Sequence, residues 1–144
     1  MDVLMADDGG LARFQRRMEA IPREARRAVK PALIKAANGV AEIQRSLAPD
    51  DPATSAPDLK SSIAVTGPGE ATPAYSQPGG SMIVPPNQVV ITVGNTDVRY
   101  PHLQEYGTTH HGAQPFFWPG FRLGRKRALS AIKRAVSKAI REAK

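Results

Sequence analysis

Cysteine is absent from the chain, which excludes disulfide bonds, zinc sites built on thiolates and catalysis by a cysteine nucleophile. Aromatic residues are few, at 6% of the 144 residues, so we expect a small aliphatic core. No apolar run approaches the roughly 20 residues that span a membrane, and the acidic start MDVLMADDGG lacks the apolar stretch of a secretory signal. We therefore expect a single domain over residues 1–144, with residues 1–10 as a flexible tail.

Positive charge is concentrated in two segments. Residues 11–47 carry a net charge of +6 and residues 119–144 carry +8, whereas residues 1–10 carry −3 and residues 48–118 carry −4. A basic surface is typical of proteins that bind nucleic acid, although amphipathic basic helices also occur as plain solvated surfaces. Binding to nucleic acid therefore stays open as one function of the chain.

Apolar residues recur every three or four positions in both basic segments, which predicts amphipathic helices. Residues 11–47 form the first helical region, in which we expect Pro22 to begin a second helix and Pro31 to kink it. A last helix is predicted from about Pro119 to Ala143. Its apolar face consists of Phe121, Leu129, Ile132, Val136 and Ile140.

The middle of the chain predicts two strands, at residues 59–66 and 87–95, from their β-branched residues and alternating pattern. Between them, residues 67–86 are rich in proline and glycine and predict a long flexible loop. Residues 100–107 predict a short helix that Gly107 closes. This order of elements indicates an α+β fold, in which long amphipathic helices near both ends pack on a small antiparallel sheet, with a short helix before the last one.

The stretch HLQEYGTTHHGAQPFFWPG, residues 102–120, contains residue types that bind metals. The candidate ligands are His102, His110, His111, Asp97 and Glu105. No H-E-x-x-H pair is present, however, and two adjacent histidines on a loop cannot easily face one ion. We therefore interpret the stretch as a solvated loop that binds no metal ion, and we assign no metal ligand.

Catalytic motifs are also missing from the sequence. It contains neither the G-x-S-x-G nucleophile elbow nor the phosphate-binding G-x-x-x-x-G-K-[ST] loop. The segment GFRLGRKR, at residues 120–127, resembles the latter only faintly, because Arg125 stands where the lysine is needed and no serine or threonine follows it. We therefore predict no enzyme activity, no catalytic residue and no cofactor.

Six of the eight aromatic residues lie between positions 100 and 121. Prolines on both sides of residues 116–118 predict an extended tripeptide, whose three side chains cannot all point inward. We therefore predict a protein–protein interface, because aromatic side chains often anchor such contacts; a purely internal cluster before the last helix is the alternative. The predicted interface residues are Glu105, Tyr106, His110, His111, Phe116, Phe117, Trp118, Arg122 and Arg125.

The sequence HLQEYGT, followed by a polar loop, AQPFFWPGF and a basic amphipathic helix, resembles the tail-completion, or tail-component, family of lambda-like long-tailed phages and related gene transfer agents. The earlier half is also similar, with LAP at residues 47–49 and LKSSI at residues 59–63. The resemblance covers about residues 25–140. Its positions in the second half are Leu103, Glu105, Tyr106, Gly107, Thr108, Ala113, Pro115, Phe116 and Pro119.

The resemblance implies a structural virion protein that performs no catalysis. Such proteins form a ring, usually six-fold, at the neck or the head-proximal end of the tail, where they complete or terminate the tail tube and let it join the head. The implied partners are further copies of the chain, the tail tube protein and the neck or head-completion (stopper) proteins, with DNA passing through the lumen. The implied location is the virion, after synthesis in the bacterial host cytoplasm. The alternative function is a basic module that contacts packaged DNA.

Overall fold

The structure, a computed structural model, describes residues 8–19, 23–49, 58–98, 101–107, 109 and 112–142. Its helices and strands, in chain order, are α1 (Asp8–Glu19), α2 (Arg23–Leu47), α3 (Asp58–Ser61), β1 (Ala64–Thr66), β2 (Val90–Thr92), α4 (Pro101–Tyr106) and α5 (Phe117–Glu142). Long helices near both ends and a small antiparallel sheet confirm the predicted α+β class. Among the described residues, no helix is both long and apolar enough to cross a membrane.

The long helices α2 and α5 pack against each other in antiparallel orientation. Val29 and Leu33, in the first half of α2, share an apolar cluster with Val136 and Ala139, near the end of α5. At the opposite end of the pair, Gly120 of α5 lies directly against the second half of α2. The pairing buries the apolar stripes that the sequence pattern predicted, and it leaves the charged stripes in solvent.

Two glycines of α5 allow the close approach of the helices. A Cβ atom on Gly120 would lie 2.5 Å from Cγ and 2.8 Å from Cα of Gln44, and a Cβ atom on Gly124 would lie 3.1 Å from a methyl carbon of Val40. Any side chain at Gly120 would therefore push the two backbones apart. The G-x-x-x-G spacing that faintly resembled a phosphate loop is a helix-packing feature.

The main core lies between α2, the sheet and the start of α5. Its buried members are Ala37, Val40, Ala41, Ala48, Leu59, Ile63, Ile91, Val93, Val98, Phe116, Phe117 and Phe121. Most are aliphatic, in line with the composition, but three of the few aromatic rings complete it. The start of α5 is therefore built into the core.

The sheet is shorter than the sequence predicted. β1 and β2 are antiparallel, with Val65 opposite Ile91, but each has only three residues. The prediction of a strand from residue 59 was wrong, because residues 58–61 form the helical turn α3 and the Ser62 hydroxyl donates to the Leu59 carbonyl at 2.7 Å. Leu59 and Ile63, four residues apart, are both buried, which is helical spacing.

Helix boundaries also differ from the predicted ones. α1 begins at Asp8, so the last three residues of the expected flexible tail are helical, while residues 1–7 lie outside the described part of the chain. α2 runs through Pro31 without a break, and the kink predicted there stays a prediction; the predicted start at Pro22 lies outside the described residues. α5 begins at Phe117, two residues before the predicted start.

The loop between the two strands, residues 67–86, folds back on itself. The Thr72 N–H donates to the Met82 carbonyl at 2.8 Å, and Val84 donates to Glu70 at 2.9 Å. At its tip, Gln77 and Val93 exchange two backbone hydrogen bonds of 2.9 Å each. The segment that the sequence predicted to be flexible is thus held by backbone pairing, which its high glycine and proline content concealed.

Replacing Gly120 by alanine should destabilise the protein, because the new methyl group meets the backbone of Gln44. We expect a net loss of about 1–2 kcal/mol in the free energy of unfolding, since overpacking outweighs the better helix propensity of alanine. The matched control is Gly39→Ala, in an open position of α2, which should gain about 0.5–1 kcal/mol. Urea unfolding measures both, and equal effects at the two sites would contradict the packing account.

Hydrogen exchange tests the pairing in the 67–86 loop. We expect slow exchange at the amides of Thr72, Gln77 and Val84, which donate hydrogen bonds, and fast exchange at the exposed Ala74 and Ser81. Uniformly fast exchange across the loop in the isolated chain would show that it is not folded as described.

Candidate interaction site

The first turn of α5 is capped by a single carboxylate. The first hydrogen bond inside the helix runs from the Gly120 N–H to the Phe116 carbonyl, at 3.1 Å. Glu105 Oε1 accepts the N–H groups of Phe116 at 2.9 Å and Phe117 at 3.0 Å, and its Oε2 accepts that of Trp118 at 3.2 Å. The next residue, Pro119, has no N–H. All the free donors of this helix start are therefore either satisfied or missing.

The preceding helix places Glu105 under this turn. α4 begins at the buried Pro101 and ends at Tyr106, and the next residue, Gly107, has a φ of 81°, which confirms its predicted closing role. A Cβ atom on Gly107 would lie only 2.7 Å from the Ala113 nitrogen, so the chain can return closely only past a glycine. The Gln114 N–H then donates to the Gln104 carbonyl at 2.7 Å. This hydrogen bond holds the irregular segment that leads into α5 beside α4.

The electrostatics of this arrangement are favourable. A helix N-terminus carries a partial positive charge, so a carboxylate there is stabilised beyond its individual hydrogen bonds. Glu105 is buried, and both of its oxygens are used by backbone N–H groups of the following helix. Its place in the predicted interface set is thus explained within the chain as a helix cap.

The aromatic residues at this point stack edge to face. Phe116 and Phe117 have ring centroids 6.5 Å apart, Phe117 and Trp118 have centroids 5.2 Å apart, and all the successive ring planes are nearly perpendicular. The prediction of an extended tripeptide was wrong, because Phe117 and Trp118 are helical and Pro119 is tolerated in the first turn. Phe116 and Phe117 are buried, as the internal-cluster alternative proposed.

A glutamine from α2 connects this turn to the long helix pair. Gln44 is fully buried, and its Nε2 donates to the Phe117 carbonyl at 2.8 Å. Phe117 is therefore held on its N–H side by α4 and on its carbonyl side by α2. Sequence reasoning missed Gln44, because a single polar residue on an apolar helical face carries no signal of its partner 73 positions away.

Tyr106 and Trp118 lie where the first turn of α5 meets the surface. The indole N–H of Trp118 donates to the hydroxyl of Tyr106 at 3.1 Å, and Tyr106 remains 71% exposed. Beside the pair lies an open apolar cleft of about 330 Å³. Gln77 and Pro78, at the tip of the 67–86 loop, form part of its wall. An exposed tyrosine paired with a half-buried tryptophan beside an apolar cleft is the kind of surface that protein partners occupy.

The remaining predicted interface residues divide between surface and undescribed positions. Arg122 and Arg125 are exposed on α5, and the Arg125 guanidinium lies 5.9 Å from the Phe121 ring centroid. His110 and His111 lie outside the described residues, so their part in an interface stays a prediction. Of the predicted set, the structure brings Tyr106 and Trp118 together at the surface, whereas Arg122 and Arg125 are exposed farther along α5.

Two of the five metal-ligand candidates, Asp97 and Glu105, have side chains that the structure describes. No group of three or more His, Cys, Asp or Glu side chains in the described part of the chain could hold a metal ion. Asp97 is exposed, and Glu105 is occupied by the helix start. The side chain of His102, like residues 110–111, is outside what the structure describes.

Comparison with protein families gives a match over two thirds of the chain. The family model described as "Bacteriophage HK97-gp10, putative tail-component" matches residues 12–107. The chain belongs to this phage tail-component family. The matched region runs from α1 through α4 and includes the capping Glu105, while α5 follows it. Comparison with curated proteins and with solved structures gave no match.

Membership of the tail-component family confirms the resemblance seen in the sequence. It supports a structural part of a phage tail, found in the virion, that contacts other virion proteins. The described geometry is in keeping with such a part, because hydrogen bonds at the start of α5 join it to α4 and α2 and hold Tyr106 and Trp118 at the surface.

Removing the capping carboxylate should destabilise the chain strongly. Glu105→Ala leaves three backbone N–H groups without their acceptor, and we expect a loss of about 3 kcal/mol or more in the free energy of unfolding. Glu105→Gln keeps one acceptor oxygen and should lose less. The control is Glu42→Ala, which breaks only an exposed ion pair with Arg45 and should cost less than about 1 kcal/mol. Denaturant titration that ranked Glu42→Ala at or above Glu105→Ala would refute the cap.

Proposed function

We propose that six copies of the chain form a ring at the head–tail junction or the head-proximal end of a phage tail. It completes or terminates the tail tube and joins it to the head. The partners of each chain are further copies of itself, the tail tube protein and the neck or head-completion proteins. The observation that carries the proposal is the Tyr106–Trp118 pair at the surface, which stands on a helix start that hydrogen bonds hold to two other helices, α4 and α2.

A closed ring requires two different patches on each subunit, because contacts repeat head to tail around the axis. The first patch, here called the aromatic patch, consists of Tyr106, Trp118 and the apolar cleft beside them. The second, here called the loop patch, lies on the 67–86 loop. It consists of Tyr75, Met82 and Ile83, which are 57%, 37% and 65% exposed.

Composition favours both patches as protein contacts. Tyrosine, tryptophan and methionine are enriched in the centres of protein interfaces, where charged residues are depleted. Neighbouring exposed apolar side chains such as Met82 and Ile83 are also harder to explain as chance exposure than single ones are. Both patches rest on backbone that is hydrogen-bonded within the subunit, so docking orders little new structure and loses little entropy.

Native mass spectrometry of the purified chain tests the ring. We expect a closed oligomer, with six copies, for the natural sequence. Tyr106→Glu and Ile83→Glu each place a charge in one patch and should weaken assembly at least tenfold, which corresponds to about 1.4 kcal/mol per contact. Mixing the two variants should yield one-to-one heterodimers, because each retains the patch that the other has lost.

The control places the same charge outside both patches. Ser130→Glu, at an exposed position of α5, should assemble like the natural sequence. The ring proposal fails if the natural chain stays monomeric at all concentrations and is also missing from particles produced with it. The assignment of the patches fails if Tyr106→Glu and Ile83→Glu both assemble normally.

A further inference from the structure

The exposed face of α5 between Arg125 and Glu142 has an unusually uniform composition. Ten positions in this stretch are exposed, and they hold seven cations, two serines and one glutamate. The cations are Arg125, Lys126, Arg127, Lys133, Arg134, Lys138 and Arg141, and the serines are Ser130 and Ser137. Arg125 projects about 180° away from Arg134 around the helix axis, whereas the other six cations and the two serines lie within an arc of about 140°. We call these eight residues the basic face.

Little within the described chain neutralises these charges. Lys138 lies 4.0 Å from Glu142, but both side chains are more than 60% exposed, and exposed ion pairs of this kind contribute little. Arg125 lies over the Phe121 ring at 5.9 Å, which leaves its charge in place. Like charges three or four residues apart on a helix repel one another. An anionic partner would relieve that repulsion.

The chemistry of the face distinguishes between two kinds of anionic partner. An acidic protein would be expected to dock on a surface with an apolar or aromatic centre, yet no exposed position from Arg125 to Glu142 holds a large apolar side chain. Leu123, which is exposed, precedes the stretch. Arginine, lysine and serine are the side chains that contact nucleic-acid phosphates. Without exposed aromatic rings, the face has nothing on which unpaired bases would stack.

We infer that the basic face of α5 binds the sugar–phosphate backbone of duplex DNA without sequence preference. From Arg125 to Glu142 the helix extends about 25 Å, which matches about seven base pairs of duplex. Arg127, Arg134 and Arg141 recur at intervals of seven residues, which brings them to nearly the same side of the helix every two turns. Their spacing along the axis is about 10 Å. The inference concerns a surface of the single chain and does not require the ring.

Fluorescence anisotropy with a labelled 30-base-pair duplex of random sequence tests the inference, with sodium chloride varied from 50 to 200 mM. We expect binding that weakens with salt at a logarithmic slope of about −3 to −4, as for about four phosphate contacts. The triple variant Lys133→Gln, Arg134→Gln, Arg141→Gln should bind at least tenfold more weakly at the lowest salt. Its slope should also be smaller by about 3.

A matched triple variant removes the same charge elsewhere. Arg13→Gln, Arg23→Gln and Lys35→Gln replace exposed cations of α1 and α2 and should change the affinity less than threefold. Circular dichroism should give the same helix content for both triple variants, because all six positions are exposed. A glutamate-rich peptide carrying the same label serves as the probe for an acidic protein partner.

Three results would overturn the inference. The first is the absence of duplex binding at 50 mM salt. The second is an equal loss of affinity in both triple variants, which would assign binding to net charge instead of the basic face. The third is binding of the glutamate-rich peptide as tightly as the duplex, which would favour an acidic protein. Ring formation is read separately by mass spectrometry, so failure of either proposal leaves the other standing.

Discussion

The arrangement of the helices depends on the hydrogen bonds that the Glu105 carboxylate accepts from the start of α5. The carboxylate accepts the N–H groups of Phe116, Phe117 and Trp118 at a helix start that is buried in the core. Unpaired buried donors are costly, so the carboxylate is needed for α5 to begin where it does. Because Glu105 lies on α4, satisfying these donors also fixes α4 against α5.

The second constraint is the close contact of α2 with α5. Gly120 and Gly124 let the helix backbones approach, and Gln44 uses that closeness to reach the Phe117 carbonyl. The two constraints reinforce each other, since Gly120 is also the first residue of α5 whose N–H bonds within the helix. Capping and packing therefore meet within one turn. A change there affects the core, the cap and the helix crossing together.

The sequence predicted the elements with strong periodicity and missed those set by distant partners. The two long helices and the α+β class followed from apolar residues repeating every three or four positions, and Gly107 followed from its place after α4. Leu59 and Ile63 were assigned to a strand, although Leu59 lies in the helical turn α3 and Ile63 follows it at a four-residue, helical spacing. A run of eight residues, 59–66, is too short for periodicity alone to distinguish a strand from a helical turn.

The candidate site was predictable in place but not in detail. The cluster of aromatic residues located it, and Tyr106 and Trp118 do reach the surface. The inward positions of Phe116 and Phe117 depend on a helix beginning before Pro119. That start is possible only because Glu105, more than ten residues earlier, supplies the acceptor. Residue-by-residue propensity contains no such information, because the contact exists only after α4 and α5 have come together.

The double attachment of Phe117 has a mechanical consequence. The Phe117 N–H is hydrogen-bonded to α4 and its carbonyl to α2. This one residue therefore fixes the first turn of a 26-residue helix. Such a helix is about 39 Å long, and tilting it by about 5° would swing its far tip by about 3 Å. The apolar cluster in which Val136 and Ala139 pack against α2 is a second point of attachment near that tip. Because α5 is fixed near both of its ends, it resists tilting more than a helix that is fixed at one end only. The exposed side of α5 therefore keeps a constant angle to Tyr106.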